Sequence, residues 1–89
     1  MSKYIEYYNA PWCGPCRAVT PLIKAVAEKR KFPLREYNVD TSGAKAMERG
    51  VRAIPQLLLI DTGDDDEGDT VVARIIGIRK KKEYMREIK

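Results

Sequence analysis

The chain has 89 residues, enough for one hydrophobic core, and we predict a single domain over residues 1–89. Its 44% hydrophobic and 34% charged residues are typical of a folded globular protein and exclude a disordered one. No apolar run approaches the roughly 20 residues of a membrane span, and the start lacks the apolar segment of a secretory signal. We therefore expect a cytoplasmic protein with no membrane partner.

The first half of the chain predicts a strand, a helix and a second strand. Tyr4–Tyr8 is rich in aromatic and β-branched residues, as strands are. Over about Gly14–Arg30, apolar residues recur at steps of three and four, which indicates a helix with one buried face. Pro21 lies inside this helix and should kink it. Leu34–Val39 is predicted as a strand parallel to the first, joined to it by a right-handed crossover.

The second half predicts a short helix, a pair of strands and a closing helix. Thr41 and Ser42 precede the short helix and carry hydroxyl groups that can cap it. The two strands flank an acidic segment and should form an antiparallel hairpin. The element order is therefore β-α-β-α-β-β-α, an α/β fold. The expected bounds are a helix ending near Glu48, strands at Gln56–Ile60 and Thr70–Ile76, and a last helix over about Lys80–Ile88 that packs through Tyr84, Met85 and Ile88.

The only two cysteines, Cys13 and Cys16, lie where the first strand passes into the first helix. Their spacing brings the sulfurs within reach of a disulfide, and the unpaired N–H groups of the helix start favour a thiolate at Cys13. Arg17, one turn on, can add to this positive field. We predict thiol–disulfide exchange in which Cys13, facing solvent, attacks a substrate disulfide. Cys16, pointing to the core, then attacks Cys13 and releases the reduced substrate.

Other interpretations of the pair have less support. A disulfide over two residues closes too small a loop to be a useful staple. A zinc site needs four ligands, and with no His a single chain offers only two, although two chains together could supply four. We expect no metal and no other cofactor. An inert pair of buried cysteines stays open, as does a calcium site at Asp64–Asp69, whose spacing does not fit an EF-hand loop.

Five short segments of the sequence form a recognisable set: Trp12-Cys13-Gly14-Pro15-Cys16, Pro21, Asn38-Val39-Asp40, Ile54-Pro55 and Gly77. Together they resemble the thioredoxin family, in which they match the active-site motif, the helix proline, the strand end, the cis-proline segment and a glycine beside the site. The resemblance runs from about Tyr4 to the C-terminus and leaves out the family's N-terminal strand and helix, a short form similar to glutaredoxins and small thioredoxin-like proteins.

The resemblance implies a thioredoxin-like fold, with a four-stranded mixed sheet in the order 2-1-3-4 and helices on both faces. It also implies a monomeric protein-disulfide reductase that is recharged by a thioredoxin reductase or a similar electron donor. The catalytic residues would be Cys13 and Cys16, and a cis bond is expected at Ile54–Pro55. A peptide would lie extended on a surface made by Trp12, Gly14, Pro15, Ile54, Pro55 and Gly77.

One position departs from the family's pattern. Thioredoxins usually bury an Asp six residues before the first cysteine, where it helps to deprotonate the second, and this chain has Tyr7 there. The Lys that often faces that Asp is Glu36 here. We hypothesise that Tyr7 fills the space. Water or Glu36 would then accept the proton, or release of the mixed disulfide would be slower.

The net charge of +4 combines an acidic segment with a basic remainder, because six of the thirteen acidic residues lie within Asp61–Asp69. Cations expected near the cysteines are either a solvated face or a surface that steers acidic protein substrates toward Cys13. We name them the basic rim: Arg52, Arg79, Lys80, Lys81 and Lys82.

Three other functions compete with a thioredoxin-type reductase. A glutaredoxin would use glutathione, whose carboxylates the basic residues after Gly77 could bind, although the Gly-Pro pair in the motif favours thioredoxin. A binding module would carry the cysteines without needing their chemistry. Nucleic-acid binding has the weakest support, because the basic residues are not interleaved with aromatic ones.

Overall fold

The computed structural model describes residues 2–63 and 68–89. The predicted bounds agree with its elements to within one residue. The expectation of a calcium site falls mainly on residues 64–67, which lie outside the described residues. Within the described ranges, no helix has the length and apolar character needed to cross a bilayer. The strands are β1 (Lys3–Asn9), β2 (Leu34–Asn38), β3 (Gln56–Asp61) and β4 (Thr70–Ile76), and the helices are α1 (Gly14–Arg30), α2 (Gly43–Glu48) and α3 (Lys81–Glu87).

The four strands form one mixed sheet in the order β2-β1-β3-β4, which confirms the predicted order. β1 and β2 run parallel, as expected for strands joined by a helix. β3 is antiparallel to both β1 and β4. In this register Tyr7 lies beside Glu36 on β2 and Leu57 on β3. The two central strands are therefore β1, which leads into the cysteines, and β3, which follows Pro55.

Each face of the sheet carries its own apolar layer. Ile5 and Tyr7 pack with residues of α1 and α3 on one face. Tyr4, Tyr8 and Leu58 form the other layer together with a residue of α2. Alternate residues of β1 point to opposite faces because side chains in a strand alternate. Helices on both faces of the sheet are thereby confirmed.

The predicted capping of α2 is wrong in detail. Ser42 precedes the helix, but its side chain makes no capping hydrogen bond. Its backbone, with φ −121° and ψ 40°, is not in the extended conformation that aims a capping side chain at the helix. The Thr41 hydroxyl lies 3.3 Å from the carbonyl oxygen of Asn38 and so belongs to the turn after β2.

Candidate active site

Cys13 and Cys16 form a disulfide at the beginning of α1, with their Cα atoms 5.2 Å apart. Cys13 is the N-cap residue, in an extended conformation that ends the turn after β1. Its Sγ accepts a hydrogen bond of 3.1 Å from the backbone N–H of Cys16. The same N–H group would face a Cys13 thiolate, and the N-terminal end of the helix dipole favours negative charge there.

Both sulfur-bearing residues are largely shielded from solvent. Cys13 is 5% exposed and Cys16 is 2% exposed. They form a small apolar cluster with Ala10, and Val39 and Ile54 pack against it. The prediction that Cys13 faces solvent is therefore wrong for the disulfide form, because residues distant in sequence cover it. Only a small part of Cys13 is therefore open to an attacking thiol.

Cys16 is held from below by two hydroxyl groups. The Tyr7 hydroxyl lies 3.0 Å from the Cys16 carbonyl oxygen, and the Thr20 hydroxyl lies 2.7 Å from the same atom. The two hydroxyl groups are 2.7 Å apart. Burial raises the pKa of Tyr7, and the charge of Glu36 adds to this effect, so the phenol stays neutral. Tyr7 occupies the position where the family's carboxylate was expected, with a group that does not ionise there.

The segment before β3 meets the cysteines from the other side. The Ile54–Pro55 peptide bond is cis, and Ile54 packs against the cysteine cluster. The carbonyl oxygen of Pro55 accepts a hydrogen bond of 2.8 Å from the N–H of Gly77. Gly77 has φ +83°, a conformation that favours glycine. The structure thus brings Ile54, Pro55 and Gly77 together, and Ile54 is the member of this group that contacts the cysteine cluster.

The remaining residues of the motif form an exposed edge. Trp12 is 66% exposed, and Gly14 and Pro15 are also exposed. The Trp12 indole donates a hydrogen bond of 2.9 Å to Oδ2 of Asp40, which anchors the ring to the end of β2. The sequence identifies Asp40 only as the end of a strand. Nothing in the sequence pairs it with Trp12, because 28 positions separate them.

The basic rim is exposed throughout, but the expectation that all of it lies near the cysteines is wrong for Lys81, which lies with Glu28 and Lys29 near the opposite end of α1. Arg79 and Lys80 lie in the loop between β4 and α3, which contains Gly77, and Arg52 lies two residues before Ile54. Nε of Arg79 lies 3.8 Å from Oε2 of Glu83 in an exposed ion pair. Because exposed pairs are weak, Glu83 offsets the positive charge of Arg79 only slightly. The two segments that carry these cations are the segments joined by the hydrogen bond between Gly77 and Pro55.

Sequence reasoning missed a buried charge on the opposite face. Glu6 is 0% exposed, and its carboxylate receives Nε of Arg49 at 2.9 Å. The signal available in the sequence was one carboxylate inside an aromatic strand, a pattern that the alternation of β1 assigns to a buried layer. Among the described residues, no group of three His, Cys, Asp or Glu is arranged to hold a metal ion.

Comparison with known proteins identifies thioredoxins as relatives of this chain. The family model described as Thioredoxin matches residues 2–89. The thioredoxin of Porphyra purpurea is 38% identical over 68 residues, which cover 74% of this chain and 62% of that protein. The thioredoxin of Chlamydia caviae is 34% identical over 85 residues, covering 94% and 76%.

Solved structures agree with the sequence comparisons. A mutant thioredoxin from Halobacterium salinarum NRC-1 superposes with a TM-score of 0.79 at 25% identity, covering 98% of this chain and 72% of that one. The alignment with the Pyropia yezoensis thioredoxin again spans only 62% of its length. The chain therefore corresponds to less than two thirds of the Porphyra and Pyropia proteins.

Proposed function

This chain belongs to the thioredoxin family, and we propose on that basis that it is a thiol–disulfide oxidoreductase that reduces disulfides in other proteins. The observation that carries the proposal is the Cys13–Cys16 disulfide at the first turn of α1. A dithiol in this position can cycle between the bonded and the open form without any other cofactor. The structure then represents the oxidised form.

The proposed reaction starts from the dithiol. The Cys13 thiolate attacks one sulfur of a substrate disulfide, that disulfide breaks, and its second sulfur leaves as a thiolate that takes up a proton. Cys16 then loses its proton and attacks Sγ of Cys13, which displaces the first substrate sulfur as a thiolate. Two electrons have passed to the substrate, and the Cys13–Cys16 bond remains. A thioredoxin reductase or a similar donor must return two electrons.

The residues around the sulfurs divide the work. The Cys16 N–H group, 3.1 Å from Sγ of Cys13, stabilises the attacking thiolate. Tyr7 and Thr20 hold the backbone of Cys16 through its carbonyl oxygen. Tyr7 is a poor proton acceptor because burial raises its pKa. We therefore assign the proton of Cys16 to water or to Glu36, which lies beside Tyr7 in the register of β1 and β2.

Substrate binding is proposed at the segment that faces the disulfide. A peptide would lie extended along Ile54, Pro55 and Gly77, with Trp12, Gly14 and Pro15 at its edge. The exposed basic rim supports a preference for acidic protein substrates, because like-signed cations around a site raise the encounter rate with anions.

The decisive experiment is insulin reduction with two electron sources. With NADPH and a thioredoxin reductase, the wild-type protein should precipitate the insulin B chain, and Cys13→Ser should abolish this. Cys16→Ser should accumulate a mixed disulfide with the substrate, visible by mass spectrometry. The proposal fails if the wild-type protein shows no turnover with any dithiol donor, including dithiothreitol.

The glutaredoxin alternative rests on the exposed cations after Gly77, which suit the carboxylates of glutathione. Turnover with glutathione and glutathione reductase alone would favour it. The binding-module alternative predicts that a Cys13→Ser/Cys16→Ser variant keeps its role in the cell, whereas a reductase loses it.

We also propose that the protein acts as a monomer in the cytoplasm. Both of its cysteines belong to the redox pair, and such pairs in a reducing compartment are catalytic rather than structural. Acid quenching and alkylation of cells should then find mostly the dithiol form.

A further inference from the structure

A chain of polar contacts crosses the α2 face of the sheet, starting from Glu6. The Arg49 guanidinium binds this carboxylate through Nε to Oε1 at 2.9 Å and through Nη2 to Oε2 at 3.1 Å. The hydroxyl groups of Tyr4 and Tyr8 lie 2.9 and 2.7 Å from it. Burial alone would raise the pKa of Glu6, but the hydrogen bonds from Arg49, Tyr8 and Tyr4 outweigh burial and hold it below its usual value. Glu6 and Arg49 therefore form a buried ion pair.

This ion pair fixes the end of α2. Arg49 is the C-cap residue of that helix. Its main-chain carbonyl oxygen accepts a hydrogen bond of 2.8 Å from Nη2 of Arg74 on β4. The other terminal nitrogen of Arg74, Nη1, donates to Oε1 of Gln56. One planar guanidinium thus joins the end of α2 to the beginning of β3.

Gln56 carries the contact to the segment beside the disulfide. It is buried and directly follows Pro55. Its Nε2 donates a hydrogen bond of 3.0 Å to the carbonyl oxygen of Ala53. From the other side, the N–H of Gly77 donates to the carbonyl oxygen of Pro55 at 2.8 Å. Residues 53–55 are therefore held at both ends, on one side by a side chain and on the other by backbone.

We propose that Arg74 and Gln56 are positioning residues for disulfide exchange, which hold residues 53–55 in the conformation that receives a peptide. Backbone between α2 and β3 has no regular ladder, so its carbonyl groups depend on individual donors such as the Gln56 side chain and the N–H of Gly77. Arg74 suits this task because its rigid fork reaches two acceptors at once. The ion pair with Glu6 holds Arg49 in place, and the carbonyl oxygen of Arg49 in turn accepts a hydrogen bond from the Arg74 guanidinium. The inference rests on the proposed function, since peptide binding at this segment is part of it.

The test compares two substrates. Insulin has a peptide on each side of its disulfide, whereas 5,5′-dithiobis(2-nitrobenzoic acid) is a small disulfide that needs no peptide-binding segment. Arg74→Met keeps the aliphatic stem and removes both donors. We expect kcat/KM for insulin to fall about tenfold through a higher KM, which is the effect of losing one hydrogen bond to a charged group. The rate with the small disulfide should stay unchanged.

Four further variants separate the explanations. Arg74→Lys keeps the charge but reaches only one acceptor, and should give an intermediate loss. Gln56→Leu should reproduce the defect, and its combination with Arg74→Met should not add to it, because both act through one contact chain. Lys24→Met removes an exposed cation of α1 instead and should behave as the wild-type protein.

Several results would overturn the inference. One is an equal loss on both substrates for Arg74→Met, because a general weakening of the fold acts on every reaction of Cys13. Another is an unchanged kcat/KM for insulin, and a third is the same selective defect in Lys24→Met. If the wild-type protein itself reduces neither substrate, it is the proposed function that fails.

Discussion

The hydroxyl group of Tyr7 lies 3.0 Å from the carbonyl oxygen of Cys16, which ties the second cysteine to the centre of the sheet. A backbone carbonyl in the first turn of a helix normally accepts only from the helix itself. Here two side chains approach it, since Thr20 is also within 2.7 Å. Cys16 is thus located by strand β1 as well as by helix α1.

Tyr7→Phe should lower the free energy of unfolding of the oxidised protein by about 1 kcal/mol, the net value of one hydrogen bond. The ring still fills the core, so the loss isolates the hydroxyl group. Urea unfolding measures it. The matched control is Tyr37→Phe on β2, whose ring stacks on Tyr8 with centroids 5.1 Å apart and is half-buried. An equal loss in both variants would contradict a specific contact at Cys16.

Tyr7→Asp should add an ionisation to the release of the mixed disulfide. In the wild-type protein Tyr7 stays neutral because burial raises its pKa, so position 7 should add no ionisation to this step between about pH 6 and pH 8. A buried carboxyl at position 7 has a raised pKa of its own and would titrate in or near this interval. Stopped-flow measurement of the release rate against pH is the test. An identical profile in both proteins would show that position 7 plays no part.

Stability should fall in acid because of Glu6. The folded-state pKa of this carboxyl is lowered by its hydrogen bonds against the opposing effect of burial. The contribution of Glu6 to the free energy of unfolding is therefore complete above its pKa in the unfolded chain, about 4.3. This contribution is lost as the pH falls through the lower pKa of the folded state. Urea unfolding between about pH 2 and pH 7 should show this decline.

Glu6→Gln should make that decline shallower and cost about 3 kcal/mol at neutral pH, because Arg49 loses its buried partner and keeps only the more exposed Asp69. Glu28→Gln, on the exposed side of α1, is the control and should leave the pH profile as it is. A Glu6→Gln profile parallel to that of the wild-type protein would contradict the assignment.

Gly77→Ala should destabilise the protein by about 1 kcal/mol, the cost of a left-handed conformation for a residue with a Cβ. Steric crowding is not the cause of this loss, because an added Cβ would contact only Nη1 of Arg79, at 3.8 Å. Thermal unfolding gives the value. Gly14→Ala should be neutral or stabilising, because this position is helical and open around the added atom. Equal shifts in the two variants would refute the conformational argument.

Salt should slow exchange with acidic protein disulfides. Raising the ionic strength from about 0.01 M to about 1 M shortens the Debye length from about 30 Å to about 3 Å, which removes attraction to the basic rim. The second-order rate constant should drop about tenfold for an acidic substrate and stay constant for a small neutral disulfide. Arg79→Gln should flatten the dependence for the acidic substrate, and Lys24→Gln on α1 should not. Equal salt dependence for both substrates would count against steering.

Much of the architecture follows from local patterns. The spacing of apolar residues over Gly14–Arg30 predicts α1 to the residue, and the aromatic run at Tyr4–Tyr8 predicts β1. These patterns suffice because strand alternation and helix periodicity are properties of neighbouring residues. Capping of α2 did not follow in the same way, because the backbone angles at Ser42 depend on the turn that precedes it.

The cysteine pair could also be predicted from local sequence, but the residues packed around it could not be predicted from local pattern alone. Cys13 is shielded by Ile54, which local pattern does not connect with it. Glu6 and Arg49 are 43 positions apart, and only the packing of α2 over β1 brings them together. Contacts at such separations are set by the tertiary fold. Pro55 and Gly77 are predicted only through the resemblance to the thioredoxins.

Side chains alternate between the two faces of the sheet along β1, so the adjacent residues Glu6 and Tyr7 make different contacts. Glu6 anchors the contacts that reach Gln56 on one face of the sheet, and Tyr7 supports Cys16 on the other. Inserting or deleting a single residue in this strand would exchange the two faces. A carboxylate would then lie under the disulfide, and a phenol would lie opposite Arg49. A shift of one residue in the register of β1 would disrupt both sets of contacts. Positions 6 and 7 can therefore change by substitution but not by insertion or deletion.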